Sequence, residues 1–104
     1  METTYWDEMP LVATPLGGRA RQLVFTPNLR LVNLVLSAQE EVESHNAPVE
    51  VVFLVLSGKG RVFVDQDSVE VEAGQMLRCP PEAMRRIEAG QEGLNLLVIR
   101  APNL

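Results

Sequence analysis

The sequence predicts an all-β domain, either a sandwich or a barrel. Segments of strand-like composition alternate with glycine, proline, asparagine and aspartate turns about every 8 to 12 residues. The longest apolar run, Val51 to Leu56, is rich in β-branched residues, and Ser57-Gly58-Lys59-Gly60 follows it as a turn. No segment has the length and spacing of a convincing helix. The expected architecture is therefore about nine short strands in one domain.

The predicted strands are the apolar or alternating segments between these turns. In order, they cover residues 11–13, 22–26, 29–37, 51–56, 61–64, 68–72, 76–79, 85–88 and 94–100. Residues 89–93 are predicted as a loop because glycine occurs twice in them. The glutamate-rich segment 40–43 is predicted as a strand edge or loop, since an isolated helix that short is marginal.

Length and composition limit the class of protein. A chain of 104 residues and 11.5 kDa forms one domain that buries roughly two thirds of its open-chain surface. No apolar run approaches the ~20 residues of a membrane span. Residues 1–10 lack the basic and apolar parts of a secretory signal, and a single cysteine excludes an intrachain disulfide. We therefore expect a cytoplasmic protein with no membrane partner.

The charge distribution argues against nucleic acid as a partner. The formal net charge is −5, and no basic run is longer than Arg85-Arg86. A protein that neutralises several phosphates needs a much larger basic surface. In the N-terminal arm, residues 1–10, Tyr5 and Trp6 are the bulky anchors. We expect this arm to cap the barrel mouth or a neighbouring subunit, or to be disordered.

The spacing of His45, Gly58, Gly74 and Pro80 within residues 38–99 resembles that of the cupins, a family of small jelly-roll β-barrels. The first cupin motif has two histidines one residue apart, then three residues, a glutamate, six residues and a glycine. With Gly58 as that glycine, the histidine positions hold His45 and Ala47, and the glutamate position holds Val51. One of these three ligand positions therefore keeps the residue that the family uses.

The second cupin motif has a glycine, five residues, a proline, one residue, a glycine, two residues and a histidine. Gly74 and Pro80 fit it, whereas Glu82 takes the place of the glycine and Arg85 that of the histidine. The resemblance implies a cupin-type jelly-roll β-barrel, the RmlC-like double-stranded β-helix, with residues 1–104 as a single cupin domain.

The resemblance also implies where a metal would bind. The family's ligand positions hold His45, Ala47, Val51 and Arg85, and only the histidine binds a cation. Zinc, iron or manganese generally needs three or four imidazole, carboxylate or thiolate ligands. A protonated arginine about 5 Å away would repel a divalent ion by roughly 6 kcal/mol at an effective dielectric near 20. We expect no metal and no other cofactor.

Two acidic residues remain as replacement ligands, so the question of a metal stays open at this point. Glu43 shares strand parity with His45 and would point to the same side. Glu50 has the opposite parity to Val51 and needs a bulge to point inward.

Strand alternation predicts which side chains line the barrel. Residues 45, 47, 51, 53 and 55 share one face, which the resemblance places on the central cavity. The predicted ligand-binding residues are His45, Ala47, Val51, Phe53, Met76, Arg78 and Arg85. In the structural alternative, His45 is satisfied by Glu43 or by backbone, and Arg85 pairs with Glu82 or Glu88. A buried arginine needs an anion, so a ligand carboxylate or phosphate is another way to complete the pocket.

These observations lead to two main functional hypotheses. In the first, a stand-alone homodimeric cupin binds a small polar or anionic organic molecule without a metal, and the second apolar strand face is covered by the partner subunit. In the second, the protein is an isomerase, an epimerase or a metal-dependent dioxygenase. His45 would be its general acid or base, and Arg85 would hold an oxyanion in the same cavity. A third, structural hypothesis requires a filled barrel and an exposed apolar patch.

Overall fold

The fold consists of eight β-strands and one short 3-10 helix. The computed structural model describes residues 1–104. The strands are β1 (Val12–Ala13), β2 (Arg19–Thr26), β3 (Leu29–Leu36), β4 (Glu41–His45), β5 (Val51–Val64), β6 (Asp67–Glu72), β7 (Met76–Cys79) and β8 (Arg85–Arg100). The helix covers Trp6–Glu8. The chain has no helix with the length and apolar character needed to cross a membrane. The all-β prediction is confirmed.

Two long antiparallel strands, β5 and β8, connect the two layers of the barrel. The first layer contains β1, β2 and β3, which continue into the C-terminal half of β8, the N-terminal half of β5 and then β7. The second layer contains β4, the N-terminal half of β8, the C-terminal half of β5 and β6. Both ends of β8 therefore contribute to the same barrel, one in each layer.

The predicted turn at residues 57–60 is wrong, because β5 runs without a break through this segment. The register between β5 and β8 shifts at Val55/Ser57 and at Gly58/Gly60, so the glycines belong to bulges. Gly58 has a φ of +85°, and a Cβ at this position would lie 2.2 Å from the Gly93 carbonyl oxygen. The close approach of two strands, and not a chain reversal, requires glycine here.

Two other predicted boundaries differ from the structure. Residues 89–93 are part of β8 and not a loop, so the separate strands 85–88 and 94–100 are one strand. The segment at 40–43 is the beginning of β4, which pairs with the N-terminal half of β8. Two mergers and one added strand account for eight strands in place of about nine.

The core lies between the two layers and is formed by alternate residues of the strands. Along β5, Val51, Phe53 and Val55 are buried, whereas Val52 and Leu54 between them are half-buried on the outer side. Cys79 is a buried free thiol within this apolar cluster. Alternation of this kind directs one face of each strand into the barrel.

The N-terminal arm is attached to the outer side of the first layer. Arg21 Nε donates to the Met9 carbonyl oxygen at 2.9 Å, and Arg21 Nη1 donates to Asn33 Oδ1 at 2.9 Å. Asn33 is fully buried there, although its side chain is polar. Tyr5 and Trp6 are exposed, and neither lines the barrel cavity. In the single chain, the arm therefore does not cap the barrel mouth.

Candidate functional site

A cavity of about 210 Å³ lies inside the barrel between the two layers. Its apolar wall is formed by inward residues of β3, β4, β5 and β8, namely Val32, Leu34, Val42, Phe53, Ile87 and Val98. The turn after β1 contributes Thr14, Pro15 and Leu16. The volume is about seven times the ~30 Å³ that one molecule occupies in liquid water, so a small organic molecule fits.

Three arginines reach the same cavity from different strand positions. Arg30 is near the start of β3, and Arg85 and Arg100 are the two ends of β8. Arg30 has the strand parity of Val32, and Arg100 has the parity of Val98, so both point inward with the apolar wall. Arg85 is only 3% exposed. Since β8 passes from one layer to the other, its two terminal guanidinium groups come together in one barrel.

None of these three guanidinium groups forms an ion pair with an aspartate or a glutamate. The ion pairs within 4.0 Å all involve other arginines, and no aspartate or glutamate lines the cavity. The Nε atoms of Arg30, Arg85 and Arg100 are buried without a hydrogen-bond acceptor. Arg100 Nη1 donates to the Leu104 main-chain oxygen at 3.0 Å, and Arg30 lies 5.7 Å from the centre of the Phe25 ring. The cavity is thus cationic in a protein of net charge −5.

Burial and mutual repulsion both act on these arginines. Burial lowers the pKa of Arg85, and the charge of Arg100 lowers it further. Burial also lowers the pKa of Arg100, with a second contribution from Arg30. An arginine side chain nevertheless stays protonated in proteins. The cavity therefore holds like charges close together, at a cost that a bound anion would remove.

His45 lies at the end of β4, directly opposite Arg85 in the register with β8, and lines the same cavity. Its Nδ1 is 2.9 Å from the Glu43 carbonyl oxygen. Since a carbonyl oxygen only accepts, Nδ1 carries the proton and Nε2 keeps its lone pair. Burial lowers the pKa of His45, and the positive charges of Arg85 and Arg100 lower it further, although the bond to Glu43 acts in the opposite direction. The imidazole is therefore neutral at pH 7.

The predicted pocket residues separate into three groups in the structure. His45, Phe53 and Arg85 line the cavity together. Ala47 and Val51 are buried in the apolar core next to it but do not line it. The structural alternative for Arg85 is wrong, because neither Glu82 nor Glu88 forms an ion pair with it.

Met76 and Arg78 were predicted on the wrong side of the sheet. The register pairs Met76 with Leu54 and Arg78 with Val52, which are outward-facing residues of β5. Met76 is 68% exposed, and Arg78 forms an ion pair with Glu50 on the surface. A one-residue difference in strand parity changes the face of every side chain, which is the physical reason for the error.

The residues at the family's metal positions do not fit a metal ion. No three histidine, cysteine, aspartate or glutamate side chains come together anywhere in the chain. Glu50 is engaged with Arg78, and an irregularity between Val42 and His45 leaves Glu43 exposed on the outside. His45 is thus the one donor of the ligand type, and it faces the cationic Arg85.

Sequence reasoning did not identify Arg30 and Arg100 as site residues. Both lie in nearly continuous aliphatic strands, where the outward and inward faces have the same composition. A charged residue within such a strand was nevertheless a usable signal, because a cation in an apolar segment needs either solvent or a partner.

A second depression, which we call the open groove, lies outside the barrel and has a volume of about 800 Å³. It contains four glutamates and two cations, namely Glu41, Glu70, Glu72, Glu88, Lys59 and Arg61. Arg61 pairs with Glu70 at 2.8 Å, and Arg86 nearby pairs with both Glu41 and Glu88. Although the open groove is larger than the cavity, its arginine and three of its four glutamates already have partners, so it is a weaker candidate for a site.

The comparison with known families agrees with this geometry. The model of the cupin domain matches residues 33–100. The chain belongs to the cupin family. This confirms the resemblance and the jelly-roll barrel predicted from the two motifs. The curated proteins contain no match to this cupin.

Solved structures with the same fold include other cupins. An RmlC-like cupin from Shewanella frigidimarina NCIMB 400 is 20% identical, with a TM-score of 0.87, and the match covers 98% of this chain and 91% of that chain. KdgF from Halomonas sp. is 16% identical, with a TM-score of 0.82 and coverage of 94% and 92%. A conserved protein of unknown function from Streptococcus pyogenes is 24% identical, with a TM-score of 0.75 and coverage of 82% and 74%. At these identities the likeness shows the fold alone.

Proposed function

We propose that this cupin binds a small organic anion, a carboxylate with an apolar body, in the barrel cavity without a metal ion. The observation that supports the proposal is the set of three cavity arginines that form no ion pair with an aspartate or glutamate and whose Nε atoms are buried without a hydrogen-bond acceptor. Arginine binds carboxylates through two parallel hydrogen bonds, which lysine does not provide. An anion in the cavity would supply both the missing charge and the missing hydrogen-bond acceptors.

The balance of donors and acceptors supports an acid over a sugar. The cavity-lining side chains offer many N–H donors but only two hydrogen-bond acceptors, His45 Nε2 and the Thr14 hydroxyl. Thr14 Oγ1 is already bonded to the Gly17 backbone. A ligand with many hydroxyl groups would leave several of its own O–H donors without an acceptor, at about 1–3 kcal/mol each. A carboxylate accepts without donating, and its apolar part matches the aliphatic wall.

Binding of simple acids is the direct test. We would titrate the protein with butyrate and isovalerate by calorimetry, using butanol and butylamine as neutral and cationic controls. The acids should bind, and the alcohol and amine should not. Arg85→Met should weaken binding about tenfold or more, because one charge-assisted hydrogen-bond pair is lost. Arg19 is an exposed residue of β2, outside the cavity. Its replacement in Arg19→Met makes the same charge change, and this variant should bind the acids as the wild type does. Equal binding of acid and alcohol would contradict the proposal.

A second candidate function is proton transfer on the bound acid. It is supported by His45 and Arg85, which line one cavity, as the enzymatic hypothesis requires. A neutral imidazole with a free Nε2 is a suitable general base, and the neighbouring guanidinium groups suit an oxyanion that forms as a proton leaves carbon. Deuterium exchange at C3 of 2-oxobutyrate, followed by NMR, tests this function. His45→Gln should remove any catalysed exchange and leave binding intact; exchange at the uncatalysed rate in the wild type would rule the activity out.

We also propose that this cupin forms a homodimer through its outer apolar face, defined by half-buried residues of β3, β5 and β8. These are Leu31, Val35, Val52, Leu54, Leu97 and Ile99. The chain exposes 6477 Å², against about 5,800 Å² for a compact monomer of this mass. The excess is close to the ~800 Å² that each partner loses in a standard interface.

Light scattering after size exclusion tests the dimer. The wild type should have twice the monomer mass, and Leu54→Glu should convert it to a monomer, because a charge would be buried in the interface. Val69→Glu is the control, since Val69 is an exposed apolar residue of the second layer. A monomeric wild type at micromolar concentration would disprove the dimer.

A further inference from the structure

We propose that the anion is a dicarboxylate, with one carboxylate on each of two opposite cationic walls of the cavity. This inference rests on the proposed function and specifies the charge and class of its ligand. The first wall is formed by Arg30 and Arg100, and we call it the Arg30–Arg100 wall. The second is formed by Arg85 with His45, and we call it the Arg85 wall.

The strand register separates the two walls. Arg30 and Arg100 are directly opposite each other in the β3–β8 pairing, so their side chains start about 5 Å apart on the same face. Arg85 is opposite His45 in the β4–β8 pairing, in the other layer of the barrel. Since the layers face each other across the cavity, a single carboxylate at one wall leaves the other wall without an anion.

The charge count favours two negative charges. Three guanidinium groups line the cavity, and no carboxylate of the protein lines it. A monoanion would leave two positive charges uncompensated in a partly buried site, whereas a dianion leaves one. The one positive charge that a dianion leaves falls on the Arg30–Arg100 pair, which already has other contacts. Arg100 donates to the Leu104 oxygen, and Arg30 lies over the Phe25 ring.

The hydrogen-bond count gives the same result. One carboxylate has about four acceptor sites, and each guanidinium carries five N–H donors. The buried Nε atoms of all three arginines lack an acceptor, and they lie on both walls. Two carboxylates supply about eight acceptor sites and reach both sets of donors. The cavity of about 210 Å³ has room for an aliphatic diacid of about four to six carbons.

A phosphate monoester is also a dianion, but it concentrates its charge on one group. It would engage one wall strongly and leave the buried Nε donor of the other wall unsatisfied. The separation of the donors between two layers therefore favours two carboxylates on one carbon chain.

Matched acids measure the charge and spacing that the cavity prefers. We would titrate the wild type with succinate, glutarate and adipate, with butyrate and valerate as the monoacids of the same length as succinate and glutarate, and with phenyl phosphate. At least one diacid should bind about tenfold or more tightly than the matched monoacid, since a second charge-assisted contact contributes 1.5–3 kcal/mol. The preference should shrink to about threefold or less in both Arg85→Met and Arg30→Met, because each variant removes a guanidinium group from one of the two walls.

Controls separate the outcomes. Arg19→Met should keep the full preference for diacids, and circular dichroism melting shows whether each variant is folded. If a variant does not fold, Arg85→Lys replaces it, because lysine keeps the charge but loses the planar pair of donors, so the preference should still fall. Monoacids that bind as tightly as diacids, or tighter binding of phenyl phosphate, would overturn the dicarboxylate and leave anion binding intact. If no acid of either kind binds, the proposed function itself fails.

Discussion

The barrel cavity and the open groove both contain several charged side chains, but they differ in whether those charges have partners. In the groove, Arg61 pairs with Glu70, and Arg86 beside it pairs with Glu41 and Glu88; the paired side chains are 33–80% exposed. Exposed pairs of this kind contribute about 0–1 kcal/mol each. In the cavity, three arginines with buried Nε atoms lie together, and no aspartate or glutamate lines the wall. The comparison shows that missing partners, and not the number of charges or the volume, distinguish a candidate site.

The largest expected effect concerns the β5–β8 pairing on which both regions are built. Gly58→Ala should lower the free energy of unfolding by about 3 kcal/mol or more, because its Cβ would lie 2.2 Å from the Gly93 carbonyl oxygen at a φ of +85°. Gly74→Ala is the matched control. Its φ is +91°, but no atom lies within 4 Å of the added Cβ, so only backbone strain of about 1 kcal/mol is expected. Urea unfolding measures both; equal losses would show that the β5–β8 contact is loose.

The next effect tests whether the cavity arginines are unfavourable without a ligand. Arg85→Met should raise the free energy of unfolding of the ligand-free protein by about 1–3 kcal/mol, because an apolar side chain replaces a buried charge without a partner. Adding butyrate or succinate should stabilise the wild type and should have little effect on the variant. Thermal and urea unfolding with and without acid give both values. A less stable ligand-free variant would show that Arg85 has a structural partner.

The groove provides the opposite expectation. Arg61→Met removes the exposed pair with Glu70, so the free energy of unfolding should change by less than about 1 kcal/mol, and the change should decrease in high salt. Acid binding in the cavity should not change. A loss of acid binding in this variant would place the anion in the groove and reverse the comparison.

The smallest effect is the pH dependence contributed by His45. Arg85 and Arg100 are the charged groups that face it in the cavity, and the pKa of His45 lies below its ordinary value. The unfolded chain therefore takes up this proton more readily, so its contribution to stability is complete above about pH 6.5 and is lost as the pH falls through the folded-state pKa. The affinity for carboxylates should rise as the pH falls, because a protonated imidazole adds a positive charge to the cavity. His45→Gln should remove both trends in unfolding and calorimetry between about pH 5 and 7.

Local sequence patterns were sufficient for the fold but not for all of the site. The β-rich composition and two motif glycines predicted the cupin barrel; strand parity correctly directed Phe53 inward, and the second motif correctly placed Arg85 at the cavity. Glycines within 57–60 and 89–93 suggested turns there, where the structure has bulges within long strands. A glycine that permits a reversal and one that permits a close strand approach have the same local sequence, and only the partner strand distinguishes them.

The missed arginines have a similar cause. Arg30 and Arg100 are far apart in sequence, and their proximity depends on the β3–β8 register, which no local pattern specifies. Glu43 was assigned to the inner face by regular alternation, but the irregularity within β4 turns it outward. Residues that depend on a bulge or on long-range pairing were thus the ones that sequence reasoning misplaced.

The course of β8 has a consequence for how ligand binding affects the motion of the chain. Its two terminal residues, Arg85 and Arg100, both line the cavity. A ligand that contacts both would form a noncovalent crosslink between the ends of one strand and restrict fraying at each of them. Amide hydrogens near Arg85 and near Arg100, in the two layers of the barrel, should then both exchange more slowly when a single small molecule binds.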